Sequence, residues 1–284
     1  MFQRGLFFAM LASFLFSVMD ALVKMASQTL GIGEIIFVRS VIGIVTVLVI
    51  MHFRNYHFTR KDLPSLLLRG ILGGISICLI FYAISGMPLG DVSILQQLSA
   101  FFVLLISVFY LHEPPPKYAF LPLILIVAGA CLVLKPWGYS SYSFYACMAI
   151  LSAFFGGIVF TTIHQLFAKG GHNSWEIVCY LFIFSTLIGA GLMAYDFHWP
   201  DSREWFLLIG VGISSLLAQV FMTEAYGTAN QTLVGFIMYL TVFLNIIWGK
   251  LFFHEAIDIL SLCGGVLIIG SSVYLTIHRR SRKQ

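Results

Sequence analysis

The second half of this chain repeats the first. Phe81–Glu113 (FYAISGMPLGDVSILQQLSAFFVLLISVFYLHE) and Thr223–Glu255 (TEAYGTANQTLVGFIMYLTVFLNIIWGKLFFHE) each carry alanine as their third residue and close on His-Glu. The two copies stand 142 positions apart, half of the 284 residues. Within that frame ten apolar stretches recur, at about 4–26, 32–53, 64–86, 91–112, 117–135, 142–168, 174–195, 204–226, 230–253 and 256–277. Each is close to the roughly 20 helical residues that cross a ~30 Å hydrocarbon core. Five spans per copy is an odd number, so the copies enter the membrane in opposite orientations. Inverted copies build a central site that opens to either side in turn, which points to transport before any single residue is weighed.

Composition excludes the alternatives. Hydrophobic residues make up 60% of the chain and charged residues 10%, with a mean hydropathy of +0.95; a soluble domain carries about 25% charged residues. The expected fold is all-α integral membrane, ten transmembrane helices as two inverted five-helix repeats. Residues 1–137 form the first repeat, 142–278 the second, and 279–284 a basic cytoplasmic tail. The apolar run in Met1–Ala26 is longer than a signal-peptide core and reads as the first span.

Lys and Arg set the orientation. With the N-terminus in the cytoplasm, Arg4, Arg54, Arg60, Lys61, Arg69, Lys117, Lys169 and the tail residues Arg279, Arg280, Arg282 and Lys283 fall inside. Lys24, Arg39, Lys135, Arg203 and Lys250 fall on or toward the other side, so both termini are expected in the cytoplasm of an inner (plasma) membrane. The tail HRRSRKQ reads as an anchor on anionic lipid headgroups, not a nucleic-acid site. Trp137, Trp175, Trp199 and Trp205 lie near span ends, where an interfacial belt sits. The five cysteines lie within apolar spans with no C-x-x-C, as small packing residues.

The His-Glu closing the fourth and ninth spans, Leu68-Arg69-Gly70 opening the third, and FYAIxxxPLGDVS at Phe81–Ser93 resemble the EamA-type family of the drug/metabolite transporter superfamily. The likeness runs through both copies. It implies that helices 1–4 and 6–9 surround a central cavity while the fifth and tenth stand outside, and that the solute is an amino acid, vitamin, nucleoside-like metabolite or drug. The family's proline about 13 residues before each closing Glu is replaced here by Ala100 and Val242. A proline frees a carbonyl and loosens a helix, so straighter fourth and ninth helices are expected. Asp20-x-x-x-Lys24 and Glu34-x-x-x-x-Arg39 are similar to the subgroup with S-adenosylmethionine and riboflavin carriers.

Ionisable side chains inside a span cost about 2.5–3.5 kcal/mol at mid-bilayer and face a cavity or a partner. Asp20 and Lys24, one helical turn apart, read either as a solute site (Asp20 to a cation, Lys24 to a carboxylate or phosphate) or as a self-neutralised pair. Arg39 reads equally as an anion contact or a structural clamp. Glu34 recurs as Glu176, where the helix dipole favours a carboxylate, and Glu113 and Glu255 read as caps on the following helix. Gln96, Gln97, Thr161, Thr162, His164, Gln165, Gln219, Tyr239 and Asn245 are uncharged cavity candidates. Adjacent glutamines diverge by about 100°, so at most one of Gln96 and Gln97 should face the centre squarely. Asp20, His164 and Glu224 are candidate protonation sites. The glycines, Gly70-x-x-x-Gly74 among them, suit close helix approach.

These residues together predict a secondary transporter moving a small, amino-acid-like organic metabolite by alternating access. It would work as a monomer or homodimer in membrane lipid, with no cofactor, resident metal or nucleic-acid partner. No ATP-binding G-x-x-x-x-G-K-[ST] loop is present. The alternative is an uptake carrier or antiporter for S-adenosylmethionine or a vitamin. An intramembrane enzyme is the remote alternative, since no G-x-S-x-G or H-E-x-x-H pattern stands in the chain.

Overall fold

A computed structural model describes residues 2–59, 61–109, 120–134, 141–194, 197–228, 231–256 and 258–280. Glu113, the basic residues Arg60, Lys117, Lys135, Arg282 and Lys283, and Trp137 lie outside them. The regular elements among the described residues are all helices: α1 (Phe2–Ala26), α2 (Ile32–Phe53), α3 (Leu63–Gly86), α4 (Leu89–Gln96), α5 (Leu98–Phe109), α6 (Phe120–Leu134), α7 (Ser141–Lys169), α8 (Ser174–Met193), α9 (Ser202–Thr228), α10 (Gln231–Met238), α11 (Leu240–Phe253) and α12 (Ile259–Arg280). Among the described residues eight segments are long and apolar enough to cross a bilayer, with α4–α5 and α10–α11 each counting as one; Leu121–Leu134 and Ile259–Tyr274 are shorter apolar helices. Helices satisfy every internal backbone group within the segment, which a lipid surround requires.

Local chemistry sets the helix starts. Pro64 stands in the first turn of α3, where its missing N–H costs nothing. Asn173 Oδ1 accepts from Glu176 N at 2.8 Å to start α8. Asp201 and Glu204 exchange side-chain-to-backbone bonds at 2.7 and 2.8 Å to start α9. Glu34 and Glu176, repeat mates, also reach into the other half: Glu34 accepts from His198 N and Glu176 from Thr59 N, both at 2.7 Å. The two carboxylates are therefore ties between repeats as well as N-terminal charges.

The repeats pack against each other rather than side by side. Helix α1 lies on α9 and α3 on α7, while α2 meets its own mate α8 and α6 meets its mate α12. Close approach of α2 and α8 rests on glycine. A Cβ at Gly189 would sit 2.6 Å from the Phe37 backbone nitrogen, and one at Gly33 would sit 2.6 Å from that of Met193. The same reading fails at Gly191 and Gly270, which face open space. Phe14, Val45, Leu121, Phe206, Phe243 and Val266 are exposed around the outside. Such a surface is untenable in water and expected against lipid tails.

The fourth and ninth spans are each divided into two helical segments. Both break at the same repeat position, Gln97 and Tyr239, with φ/ψ of −67°/−14° and −63°/−19°. At each break the hydrogen bonds tighten to i→i−3: Gln97 N to Ile94 O (3.1 Å) and Tyr239 N to Phe236 O (3.2 Å). A single tight turn thus interrupts the hydrogen-bond ladder without proline.

Candidate functional site

Between the repeats lies a cavity of about 290 Å³, near the lower end of the range for small-molecule sites. Helices of both repeats border it. Its ionisable groups among the described residues, tyrosines aside, are Asp20 from α1, Arg39 from α2 and Arg69 from α3. Gln96, Gln97, Gln219 and Tyr239 also border it. Both glutamines border the space.

Arg39 is wholly buried. Its guanidinium lies between two rings, 5.2 Å from the centroid of Phe81 and 5.5 Å from that of Phe182. Phe81 comes from α3 and Phe182 from α8 of the other repeat, so the sandwich spans both halves. None of Nε, Nη1 and Nη2 has a hydrogen-bond partner among the described residues. Cation–π contact supplies about 2 kcal/mol when desolvated, whereas a buried ion costs several kcal/mol until it is paired. The rings offset only part of the cost, and they leave the donor edge of the fork free.

Arg69 is 1% exposed. The orientation count placed it among the inner basic residues, but the fold turns it into the cavity. Nη2 donates to Gln219 Oε1 at 3.1 Å, a neutral acceptor, and Nε has no partner among the described residues. A glycine one turn on makes room at each arginine. A Cβ at Gly73 would overlap Arg69 Nη1, and one at Gly43 would lie 2.7 Å from the Phe182 ring that stacks on Arg39.

Asp20 accepts from Asn245 Nδ2 at 2.8 Å; the same amide contacts Ser93 Oγ, and Asn245 is itself buried. A carboxylate of α1 is thereby held to α11 and α4. Gln96 Nε2 reaches Ser152 Oγ at 3.5 Å, while its Oε1 is buried without a partner among the described residues.

Lys24 is elsewhere. It pairs with Glu255 and donates to Met87 O at 2.9 Å, with Phe253 beneath it at 5.3 Å. Glu255 also accepts from Leu89 N at 2.9 Å, capping the first turn of α4. The carboxylate expected to cap its own following helix instead locks α1 and α4 across the repeats. Asp20 and Lys24 thus have separate partners and do not neutralise one another.

The remaining sequence candidates fall outside the cavity border. Thr161 and Thr162 bond back to the carbonyls of Gly157 and Ile158 at 2.9 Å, Gln165 is half-buried and His164 is exposed on α7. Glu224 accepts from Ser174 Oγ at 2.8 Å and borders a separate hollow with Arg54 and Trp175. Sequence reasoning missed the place of Arg69 at the cavity border. The signal that could have found it is the Arg-x-x-x-Gly spacing shared by Arg39–Gly43 and Arg69–Gly73, set against the aliphatic residues at the same positions of the second copy, Leu181 and Val211.

Comparison with known proteins agrees with this architecture. The model of the EamA-like transporter family matches twice, over residues 3–135 and 143–277. The pseudopaline exporter CntI of Pseudomonas aeruginosa is 42% identical over 275 residues, 96% of each chain. A riboflavin transporter of Brucella anthropi is 32% identical over 202 residues, 68% of this chain and 69% of that one. A crystal structure at 15% identity superposes with a TM-score of 0.71 over 99% of both chains, a likeness of fold alone.

Proposed function

The chain belongs to the EamA-like transporter family, and on that premise we propose that it exports a small amino-acid-like metabolite across the inner membrane by alternating access. It is a small-molecule transporter and not an enzyme. The observation that carries the finer reading is the cavity between two inverted repeats, bordered by Asp20, Arg39 and Arg69 from one and by Gln219 and Tyr239 from the other. Solute held by both halves is released when one half rocks against the other. In this reading residues 1–137 and 142–278 exchange roles, both termini face the cytoplasm, and the monomer suffices because the chain contains both repeats.

The Lys24–Glu255 lock supports a gate on one side of the cavity: it fastens α1 to the start of α4, where the fourth span enters the membrane. The 42% relative supports export and makes pseudopaline the first solute to test. Riboflavin, from the 32% relative, is the second, and S-adenosylmethionine the third.

The experiment is flux in proteoliposomes. Uptake of labelled solute should saturate and should accelerate when unlabelled solute is preloaded on the far side. Asp20→Asn should reduce flux at least tenfold while the protein still elutes as a folded species. Flux that never saturates would identify a channel, and absence of flux with all three solutes would reject the substrate reading.

A further inference from the structure

Two arginines border the cavity and one carboxylate opposes them. Among the described residues Arg39 has no hydrogen-bond acceptor at any of its three nitrogens, and Arg69 has one neutral acceptor, the Gln219 amide oxygen. Each side chain is at most 1% exposed. A structural clamp would spend its donors on backbone carbonyls or a carboxylate of a neighbouring helix. Lys24 does that, with Met87 O and Glu255 as partners; Arg39 and Arg69 do not.

The second repeat provides an internal control. The positions matching Arg39 and Arg69, 142 residues on, are Leu181 and Val211, both fully buried. Helix packing at these places is therefore met by aliphatic side chains. The glycines on the next turn, Gly43 and Gly73, become Ser185 and Ser215. The first copy alone pairs a guanidinium with a small neighbour that lets it, or the ring stacked on it, lie where it does.

We infer that Arg39 and Arg69 form an oxyanion subsite, and that with Asp20 they select a solute bearing two acidic groups and one amine. The inference deepens the carrier reading above and rests on the same cavity. A planar guanidinium presents paired donors that match a carboxylate or a phosphate. Stacking on Phe81 and Phe182 fixes the plane of the Arg39 fork before the solute arrives, so little side-chain freedom is lost on binding. Asp20, oriented by Asn245, takes the ammonium. Two cations against one anion leave the described ionisable border one positive charge in excess, which a solute of net charge −1 neutralises.

Full-length protein in detergent is melted at fixed ionic strength with glutamate, citrate, inorganic phosphate or lysine, alongside Arg39→Leu and Arg69→Val, which copy the second repeat. Glutamate or citrate is expected to raise the wild-type Tm by about 2 °C or more. That shift should vanish in both variants, lysine should give none, and the variants without anion should melt no lower than wild type. A phosphate shift larger than those of the carboxylates would assign the subsite to phosphate esters. No shift with any anion, or an equal shift in the variants, overturns the subsite. If Arg39→Leu does not fold, the clamp reading is favoured; Arg39→Lys then decides, since a subsite predicts folded protein with a weakened anion shift and a clamp predicts an unchanged one. An anion shift without flux in proteoliposomes would leave the subsite standing and reject the carrier reading, whereas flux unchanged in both variants would do the reverse.

Discussion

Two basic regions of the first repeat are held in opposite ways. At the Lys24 lock, the ammonium meets a carboxylate, a backbone carbonyl and a ring, and the carboxylate in turn caps α4. At the cavity wall, the guanidinium of Arg39 is wholly buried between two rings with its donors unspent, and Arg69 holds only an amide oxygen. Position in a membrane helix does not separate the two regions, since all three cations sit within spans. Partners separate them. A cation whose donors are consumed within the chain holds the fold together, and one whose donors are unspent at a cavity is available to a ligand.

Removing charge should therefore act differently on stability in the two regions. The arginine replacements described above should leave stability intact. Glu255→Gln should lower it by about 2 kcal/mol, since Lys24 loses its counter-charge in a site where each side chain keeps 14% exposure. Chemical denaturation in mixed micelles would measure this, and Lys24→Met in the Glu255→Gln background should recover part of the loss. If Glu255→Gln proves neutral, the lock is not structural and the contrast between the regions collapses.

Gly73→Ala sharpens the comparison from the other side. The added Cβ overlaps Arg69 Nη1, so the guanidinium must swing from Gln219 at a stability cost of about 1 kcal/mol. Glutamate titrations followed by melting temperature should show affinity weakened several-fold, more than the stability change alone would suggest. Unaltered affinity would mean that the position of Arg69 does not matter to the anion.

The smallest effect is expected at a third ion pair, Lys169–Asp62, at 2.6 Å in the α2–α3 loop region. The hydrogen bond from Lys169 lowers the Asp62 pKa, with His172 adding to the pull. A carboxyl depressed in the folded state contributes stability above its unfolded pKa of roughly 3.9, and loses it as pH falls through the folded value. Asp62→Asn should therefore lower the melting temperature only slightly at neutral pH, because exposed pairs are worth little, and should match wild type once the pH falls below the folded value. A large loss at pH 7 would show that this pair, too, is a lock.

The sequence was legible wherever the physics is local and additive. Ten spans, their approximate ends and the inversion of the copies follow from transfer free energies summed over about 20 residues and from an odd number of spans per copy. Glu34 and Glu176 were legible as N-terminal carboxylates, because capping is settled within one turn. Asp20, Arg39, Gln96, Gln97, Gln219 and Tyr239 were placed in spans by the same summation, and the fold brings them to one cavity. Arg69 was counted only among the cytoplasmic-side cations, because its height along α3 says nothing about which way it points.

What the tertiary structure alone decided is which polar groups meet. Lys24 finds Glu255 across 231 positions, Arg69 finds Gln219 across 150, and Arg39 is stacked by Phe182 of the other repeat. Each meeting depends on the rotation of a helix about its own axis and on the register between inverted repeats. Span hydrophobicity constrains neither. The tight turns at Gln97 and Tyr239 belong to the same class: nothing in those residues forbids a continuous helix, and only the packed bundle sets the break at the cavity wall.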